Sequence, residues 1–228
     1  MTRRIRKTIP LALLAAVWAQ MALGHGDTVP QAVDTAGLPE LPAEMATENP
    51  WRNAEGDVLF KAVEIGAKGF NSNCARCHGL EAISGGLAPD LRFLEASEFG
   101  DEWFLDRILH GYEQNGAVKM PPFEGILNQQ AIWAIRTYIE TRPDADALAA
   151  KSPEISALYD KVKALPADAD ADQTAKLAEE LDSAGTGFEA LSGAPRAVTV
   201  LAQAAHMLRT GASHAPAAAE LLHGVLRN

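Results

Sequence analysis

Two cysteines, Cys74 and Cys77, are separated by two residues, and His78 follows the second cysteine directly. On a helical turn, side chains three residues apart lie on the same face, so both thiols can react with one planar group. The histidine can then turn its imidazole towards the centre of that group from the same side. This C-x-x-C-H pattern is typical of haem attachment, in which both thiols form thioethers and the histidine binds iron. The sequence therefore predicts one covalently bound haem c.

Three other roles for the cysteine pair fit the sequence less well. A structural zinc site needs four ligands, and the chain has no second C-x-x-C. A thioredoxin-like dithiol normally lies beside a βαβ unit, which the sequence does not predict. A plain disulfide between Cys74 and Cys77 stays open, because exported proteins commonly oxidise their cysteines.

A six-coordinate haem needs a second axial ligand, and Met120 is the best candidate. It precedes Pro121 and Pro122, whose rings stiffen the loop and can hold a thioether at a fixed distance. A thioether ligand favours ferrous iron and raises the reduction potential. His110 is the alternative ligand, and Met120 could instead fill a gap in the core. We predict that His78 and Met120 are the two axial ligands.

Two further residues are predicted to support the haem. An iron-bound histidine usually donates its second ring N–H to a carbonyl or carboxylate group. Pro89 is placed to bring a backbone carbonyl to His78, and Leu91 is then expected to pack against the haem face.

Three helices are predicted around these residues, at about 57–70, 101–110 and 128–141, from apolar positions at helical spacing. Asn128 is a good N-cap for the third. Gly66 in the first helix would allow a second helix to cross closely, with aromatic side chains packed around the crossing.

Glycine and proline divide the rest of the chain. Residues 25–56 contain four prolines and are predicted to form an extended arm, and 79–100 and 111–127 are predicted to be loops. The haem domain is therefore predicted at 57–142, in an all-α fold.

The tail at 143–228 has a different composition, which predicts a helical C-terminal extension. It holds 23 alanines in 86 residues and no tryptophan or cysteine, which favours helix without aromatic packing. Ser152 and Pro153 are typical of a helix start. One helix face is predicted to carry Ile155, Leu158, Tyr159 and Val162, and further amphipathic segments lie near 173–183, 196–209 and 216–227.

The first 24 residues have the composition of an export signal. A basic start precedes an apolar run at 9–17, and Ala22-Leu23-Gly24 fits a small-x-small cleavage site. The apolar run is too short to span a membrane, although an uncleaved anchor is the alternative. We predict a signal peptide at 1–24 and a periplasmic protein without stable membrane insertion.

Cleavage would remove four basic residues and no acidic ones, which changes the formal net charge from −10 to −14. Binding of nucleic acid needs a basic surface, so this charge argues against such a partner. An acidic surface can steer a protein towards a complementary partner, although it also simply favours solubility. Cleavage would expose His25 as the amino terminus, where imidazole and amine together can bind copper.

The order helix, C-x-x-C-H, Pro-x-Leu, helix, Met-Pro, helix resembles the class I cytochromes c. The chain resembles the small cytochromes that accept electrons from PQQ-dependent ethanol dehydrogenase, and it is also similar to the cytochrome cL group that serves methanol dehydrogenase. The resemblance covers about 25–142 and is carried by segments 25–27, 30–34, 73–86, 115–118 and 120–125. The segment at 92–102 is shorter than in such relatives, and 143–228 has no counterpart.

The resemblance implies a one-electron acceptor for a quinoprotein (PQQ-dependent) alcohol dehydrogenase, which passes electrons to an oxidase or a second cytochrome. Electron transfer would be outer-sphere at an exposed haem edge near Lys119 and the 111–125 loop, and no residue would act as acid, base or nucleophile. The alternative is a small haem enzyme or sensor, peroxidase-like, with a labile sixth ligand. The tail could be a docking module for a dehydrogenase.

Overall fold

The computed structural model describes residues 29–227, so the predicted signal peptide and His25 lie outside the described residues. Within 29–227 the fold contains nine α-helices and one short β-hairpin, and the prediction of a helical fold is confirmed. The helices are α1 Gly56–Asn73, α2 Ala75–His78, α3 Glu98–His110, α4 Gln129–Glu140, α5 Ala145–Ala150, α6 Ser152–Lys163, α7 Ala171–Ala184, α8 Val200–Thr210 and α9 Ala215–Leu226. Short 3₁₀ turns lie at Leu80–Ala82, Leu91–Phe93 and Ala212–His214.

Helices α1 and α4 cross closely and form the centre of the first half of the molecule. A Cβ atom on Gly66 would lie 2.0 Å from the Ala134 carbonyl oxygen, so only glycine fits at the crossing. The ring centroids of Phe70 and Tyr138 lie 5.4 Å apart beside it. The sequence prediction of a close crossing at Gly66, flanked by aromatic rings, is therefore confirmed.

Side-chain caps set where α3 and α4 begin. The Ser97 hydroxyl accepts the Gly100 N–H, so α3 begins earlier than the predicted position near 101. Asn128 accepts the Ala131 N–H and caps α4, as its sequence position predicted.

A β-hairpin replaces part of the loop predicted at 111–127. Strand β1 (Tyr112–Gln114) pairs antiparallel with β2 (Ala117–Met120). Asn115 and Gly116 form the two-residue turn with φ angles of 53° and 73°, which is the conformation that an Asn-Gly pair favours between two strands. The hairpin fixes the end of β2, and therefore Met120, more firmly than a loop would.

The segment at 29–55 is irregular, but it is not an arm that extends away from the body. Leu38 and Trp51 are 8% and 4% exposed and pack against α1 and α4. No helix forms between residues 29 and 55, as the prolines predicted, and apolar side chains anchor this segment against α1 and α4.

Helices α5 to α9 surround a second apolar cluster, whose members come from 148–222. Ile155, Leu158 and Val162 lie on its side of α6, as their spacing predicted. Helix α8 begins at Val200, because Thr199 caps it by accepting the Ala202 N–H. Part of the helix predicted at 196–209 is therefore irregular.

The irregular segment 190–198 lies against the end of α4. The Val198 N–H donates to the Thr141 carbonyl at 2.9 Å, and the Leu191 N–H donates to the Arg142 carbonyl at 3.3 Å.

None of the helices within 29–227 combines the length and apolar character needed to cross a membrane.

Candidate haem site

The two cysteines lie on one tight helical turn. Helix α1 ends at Asn73, the Cys74 N–H donates to the Phe70 carbonyl at 2.7 Å, and α2 follows immediately. The N–H groups of Cys77 and His78 both donate to the Cys74 carbonyl, at 3.1 and 3.0 Å. All three motif residues are therefore held by one turn of backbone.

Cys74 and Cys77 are both free thiols in the structure. Burial raises the pKa of the Cys74 thiol to about 12, so this sulfur stays protonated at neutral pH. A redox-active dithiol needs a lowered thiol pKa instead. The environment of Cys74 thus argues against a thioredoxin-like role.

His78 has the hydrogen bond that a metal-binding imidazole needs. Its Nδ1 lies 2.9 Å from the Pro89 carbonyl oxygen, and a proton on Nδ1 leaves Nε2 as the nitrogen with a lone pair. Burial lowers the pKa of His78, which keeps the ring neutral and able to coordinate a metal. The structure thus places Pro89 beside His78, where the sequence predicted it.

The Pro89 carbonyl is held by the turn that follows it. Asp90 accepts the Arg92 N–H and caps the 3₁₀ turn Leu91–Phe93. The Arg92 side chain donates to both carboxylate oxygens of Asp90, at 3.0 and 2.7 Å. This pairing holds the pKa of the Asp90 carboxyl below its usual range.

Met120 and Leu91 lie at the same apolar cluster as Cys74. Leu91 is 7% exposed within this cluster, and Cys74 and Met120 pack against it from different parts of the chain. Gly111 approaches closely, since a Cβ atom there would lie 2.4 Å from the Met120 carbonyl oxygen. The Phe123 N–H donates to the Ile108 carbonyl just beyond.

The other histidines within 29–227 have packing or surface roles. His110 is 63% exposed and pairs with Asp106 at 3.0 Å, away from the apolar cluster. Stacked rings lie against His206 and His223, and His214 contacts the Thr210 hydroxyl.

This donor set fits haem c. One helical turn offers two thiols and an imidazole with an available Nε2, and a thioether lies at the same apolar cluster. Such a cluster suits the flat apolar body of a porphyrin. Between residues 29 and 227, no three side chains of His, Cys, Asp or Glu converge on a site for a bare metal ion.

A buried charge network supports the site and was missed in the sequence. Arg52 donates to Asp101 and Glu140, and Arg136 donates to Asp101 at 2.8 Å. Asn49 donates to both carboxylates. Arg136 also donates to the backbone carbonyls at 94 and 95, in the loop that follows Leu91.

The local signal for this network was the position of two charged residues, Arg136 and Glu140, one turn apart in a helix without other charged residues. Both are completely buried, which charged side chains tolerate only with paired partners.

Comparison with known proteins gives several matches. A family model described as cytochrome c oxidase, cbb3-type, subunit III matches residues 61–139. The chain is 51% identical over 133 residues to cytochrome c550 of Pseudomonas aeruginosa, which covers 58% of this chain and 90% of that protein. It is 32% identical over 79 residues to cytochrome c6 of Euglena gracilis, which covers 34% of this chain and 88% of that protein.

A partial match links the chain to larger enzymes. It is 33% identical over 81 residues to the quinohemoprotein alcohol dehydrogenase ADH-IIG of Pseudomonas putida, which covers 36% of this chain and 11% of that enzyme. No solved structure gave a significant match. The motif, the donor set around it and the match to nearly the full length of cytochrome c550 agree, so the chain belongs to the class I c-type cytochromes, electron carriers that hold haem c covalently.

Proposed function

We propose that this protein is a periplasmic mono-haem carrier in which Cys74 and Cys77 form the thioethers and His78 and Met120 bind the iron. The observation that carries the proposal is the contact of 2.9 Å between His78 Nδ1 and the Pro89 carbonyl oxygen. A proton on Nδ1 leaves Nε2 with the lone pair that can bind iron. Bound haem c supplies a one-electron ferric–ferrous couple. The chain's own residues orient the ligands and exclude water.

We assign the ligand-holding role to residues 57–142 and regard 143–228 as a helical extension of this haem domain. Leu91 packs against the haem face and keeps that side apolar. Met120 is the last residue of β2 and is followed by two prolines, which would help to hold its sulfur at a fixed distance from the iron. A thioether ligand in apolar surroundings stabilises ferrous iron, which suits a protein that accepts electrons.

The electron donor is, in our proposal, a quinoprotein (PQQ-dependent) alcohol dehydrogenase. Support comes from the similarity to a segment of quinohemoprotein alcohol dehydrogenases, whose name joins a quinone cofactor, a haem and this substrate class in one enzyme. The acceptor is an oxidase or a second cytochrome. Partners would meet the exposed face of the hairpin, where Val118 is 66% exposed and Lys119 precedes Met120.

The ligand assignment is tested by the optical spectrum of the purified protein and of Met120→Ala. We expect the ferric wild type to show the weak far-red band of Met-ligated haem and the variant to lose it. We also expect carbon monoxide to bind the reduced variant readily and the reduced wild type very little. Met45→Ala is the matched control, because Met45 packs against the same apolar cluster and should leave the band unchanged.

A far-red band that survives Met120→Ala, or that is lost in Met45→Ala, contradicts the ligand assignment. Rapid carbon monoxide binding by the reduced wild type would favour the haem enzyme or sensor with a labile sixth ligand.

The donor is tested by stopped-flow reduction of the ferric protein with a substrate-reduced PQQ-dependent alcohol dehydrogenase. We expect fast reduction that slows with added salt, because the acidic carrier would be steered by charge. The same dehydrogenase without PQQ is the control. Equal rates with and without PQQ would exclude this enzyme class as donor.

A further inference from the structure

The turn after the haem-attachment motif has an unusual backbone. Glu81 and Ala82, shortly after His78, have φ angles of 56° and 60°. This left-handed region is disfavoured for residues with a side chain, and it persists only where surrounding contacts hold it. Ala82 is completely buried in the apolar cluster that Cys74 packs against. The turn therefore depends on contacts from outside itself.

Arg142 makes such a contact. Its Nη1 donates to Glu81 Oε2 at 2.7 Å, and its guanidinium lies 4.5 Å from the centroid of the Tyr138 ring. The Arg142 side chain is 5% exposed, whereas Glu81 is 41% exposed. The arginine end of the ion pair is therefore buried, whereas the carboxylate end lies at the surface.

The C-terminal extension fixes Arg142 in this position. Arg142 Nη2 donates to the Val198 carbonyl at 2.7 Å, and the Arg142 carbonyl accepts the Leu191 N–H. Val198 is 2% exposed and is the one fully buried member of its apolar cluster that comes from the extension. The Arg142 side chain thus connects the extension to the turn beside the haem motif.

A cavity of about 300 Å³ lies beside this connection. Its walls include Glu81, Ile83, Arg92, Arg142, Leu148 and Val200. The ion pair of Arg142 and Glu81 therefore lies where side chains leave space unfilled. Within the described part of the chain, Arg142 Nε has no hydrogen-bond partner, so the two terminal nitrogens make both contacts.

We propose that Arg142 is a positioning residue for the haem: it holds the turn through Glu81, with the extension as its anchor, and thereby sets the reduction potential. The inference rests on the proposed electron-carrier function. A partner that changes how the extension lies on α4 would change the potential through these two side chains.

The test is the reduction potential of the holoprotein in a double-mutant cycle of Arg142→Gln, Glu81→Gln and the double variant. We expect Arg142→Gln to lower the potential, because the turn after the motif loses its outside contact, water reaches the haem more easily and ferric iron is stabilised. The expected shift is at least about twofold in the redox equilibrium, or about 18 mV at 59 mV per tenfold. The two single shifts should not add in the double variant, because each breaks the same contact.

Arg196→Gln is the matched control. Like Arg142→Gln, it removes one positive charge, and it breaks the ion pair between Arg196 in the extension and Glu55. Both side chains of that ion pair are exposed. Its potential should equal that of the wild type. Glu81→Gln alters an exposed side chain and carries the test alone if Arg142→Gln does not accumulate. Its potential must then be lower than that of the wild type by the same twofold, because the same contact is broken.

Equal potentials in Arg142→Gln and Arg196→Gln would overturn the inference, as would single shifts that add, or an unshifted Glu81→Gln. These outcomes leave the far-red band of the wild type in place. Loss of covalent haem or of that band in the wild type would instead contradict the proposed function.

Discussion

At the scale of single residues, the buried charges are the least expected feature of the haem domain. Asp101, Arg136 and Glu140 are completely buried, and Arg52 is largely covered. Two cations face two carboxylates, so the group is formally neutral. Buried charges are tolerated only when each is paired and hydrogen-bonded, because removal from water is costly. The network thus joins the 29–55 segment to α3 and α4.

We expect Asp101→Asn to destabilise the protein by about 3–5 kcal/mol, because Arg52 and Arg136 would then share one remaining carboxylate in the interior. Urea unfolding of the holoprotein, followed by circular dichroism, measures this free energy. Glu64→Gln is the control, since Glu64 pairs with lysines at the surface and should cost less than about 1 kcal/mol. Similar losses in both variants would show that the network contributes no more than a surface pair.

At the scale of secondary-structure elements, the crossing of α1 and α4 positions the haem motif. Helix α1 runs directly into Cys74, and α4 carries Tyr138 against Phe70 near the end of α1. The crossing distance therefore fixes where the cysteine turn lies relative to the apolar cluster.

We expect Gly66→Ala to destabilise the protein by several kcal/mol and to lower the yield of attached haem. Its Cβ would meet the Ala134 carbonyl oxygen at 2.0 Å, which forces the helices apart. Gly224→Ala in α9 is the control, because no atom lies within 4 Å of its Cβ position. That change should stabilise the protein by roughly 0.5–1 kcal/mol. A Gly66→Ala protein as stable as Gly224→Ala would contradict the close crossing.

Local signals explain which elements could be predicted. The helices around the motif follow from apolar spacing and from caps such as Asn128, which act within one turn of chain. The hairpin was missed, because its strands are short and exposed and show no alternation. Asn115-Gly116 was the one signal for it. The network was missed because its partners are far apart in sequence: the spacing of Arg136 and Glu140 shows two charges on a buried helix, but it does not show that Arg52 pairs with Glu140.

At the scale of the whole molecule, the extension packs onto the haem domain through side chains as well as backbone. The His206 ring in α8 stacks on Phe60 in α1, with centroids 4.3 Å apart and planes 12° apart. Arg196 pairs with Glu55 nearby. The cysteine motif, Pro89, Leu91 and Met120 lie within 57–142, so the predicted site does not use the extension directly.

We expect the stability of the protein to fall on acidification partly through His206. Burial lowers the pKa of His206, and the neighbouring Asp57 carboxylate opposes that shift. The unfolded chain, with a histidine pKa of about 6.5, then binds the proton more readily than the folded state. Stability present above about pH 6.5 is lost as the pH falls through that value towards the lower pKa of the folded protein.

Unfolding free energies at about pH 8 and about pH 5 for wild type and His206→Phe measure this effect. The phenylalanine ring keeps the stack but cannot titrate, so the variant should lose less stability at the lower pH. His110→Phe, at an exposed position, is the control. An unchanged pH dependence in His206→Phe would contradict the role of His206.

The segment 190–198 lies on the end of α4, which has a consequence for any fragment of the protein that lacks the extension. The last carbonyls of a helix have no partner within it. Here the Ser192 hydroxyl donates a hydrogen bond to the Glu140 carbonyl, and the Val198 N–H donates one to the Thr141 carbonyl. The extension therefore caps the C-terminal end of α4, the helix that packs in the same apolar cluster as Leu91 and Met120. A fragment that stopped at 142 would contain every predicted ligand. The last turn of α4 would nevertheless lose these hydrogen bonds and would unfold more easily.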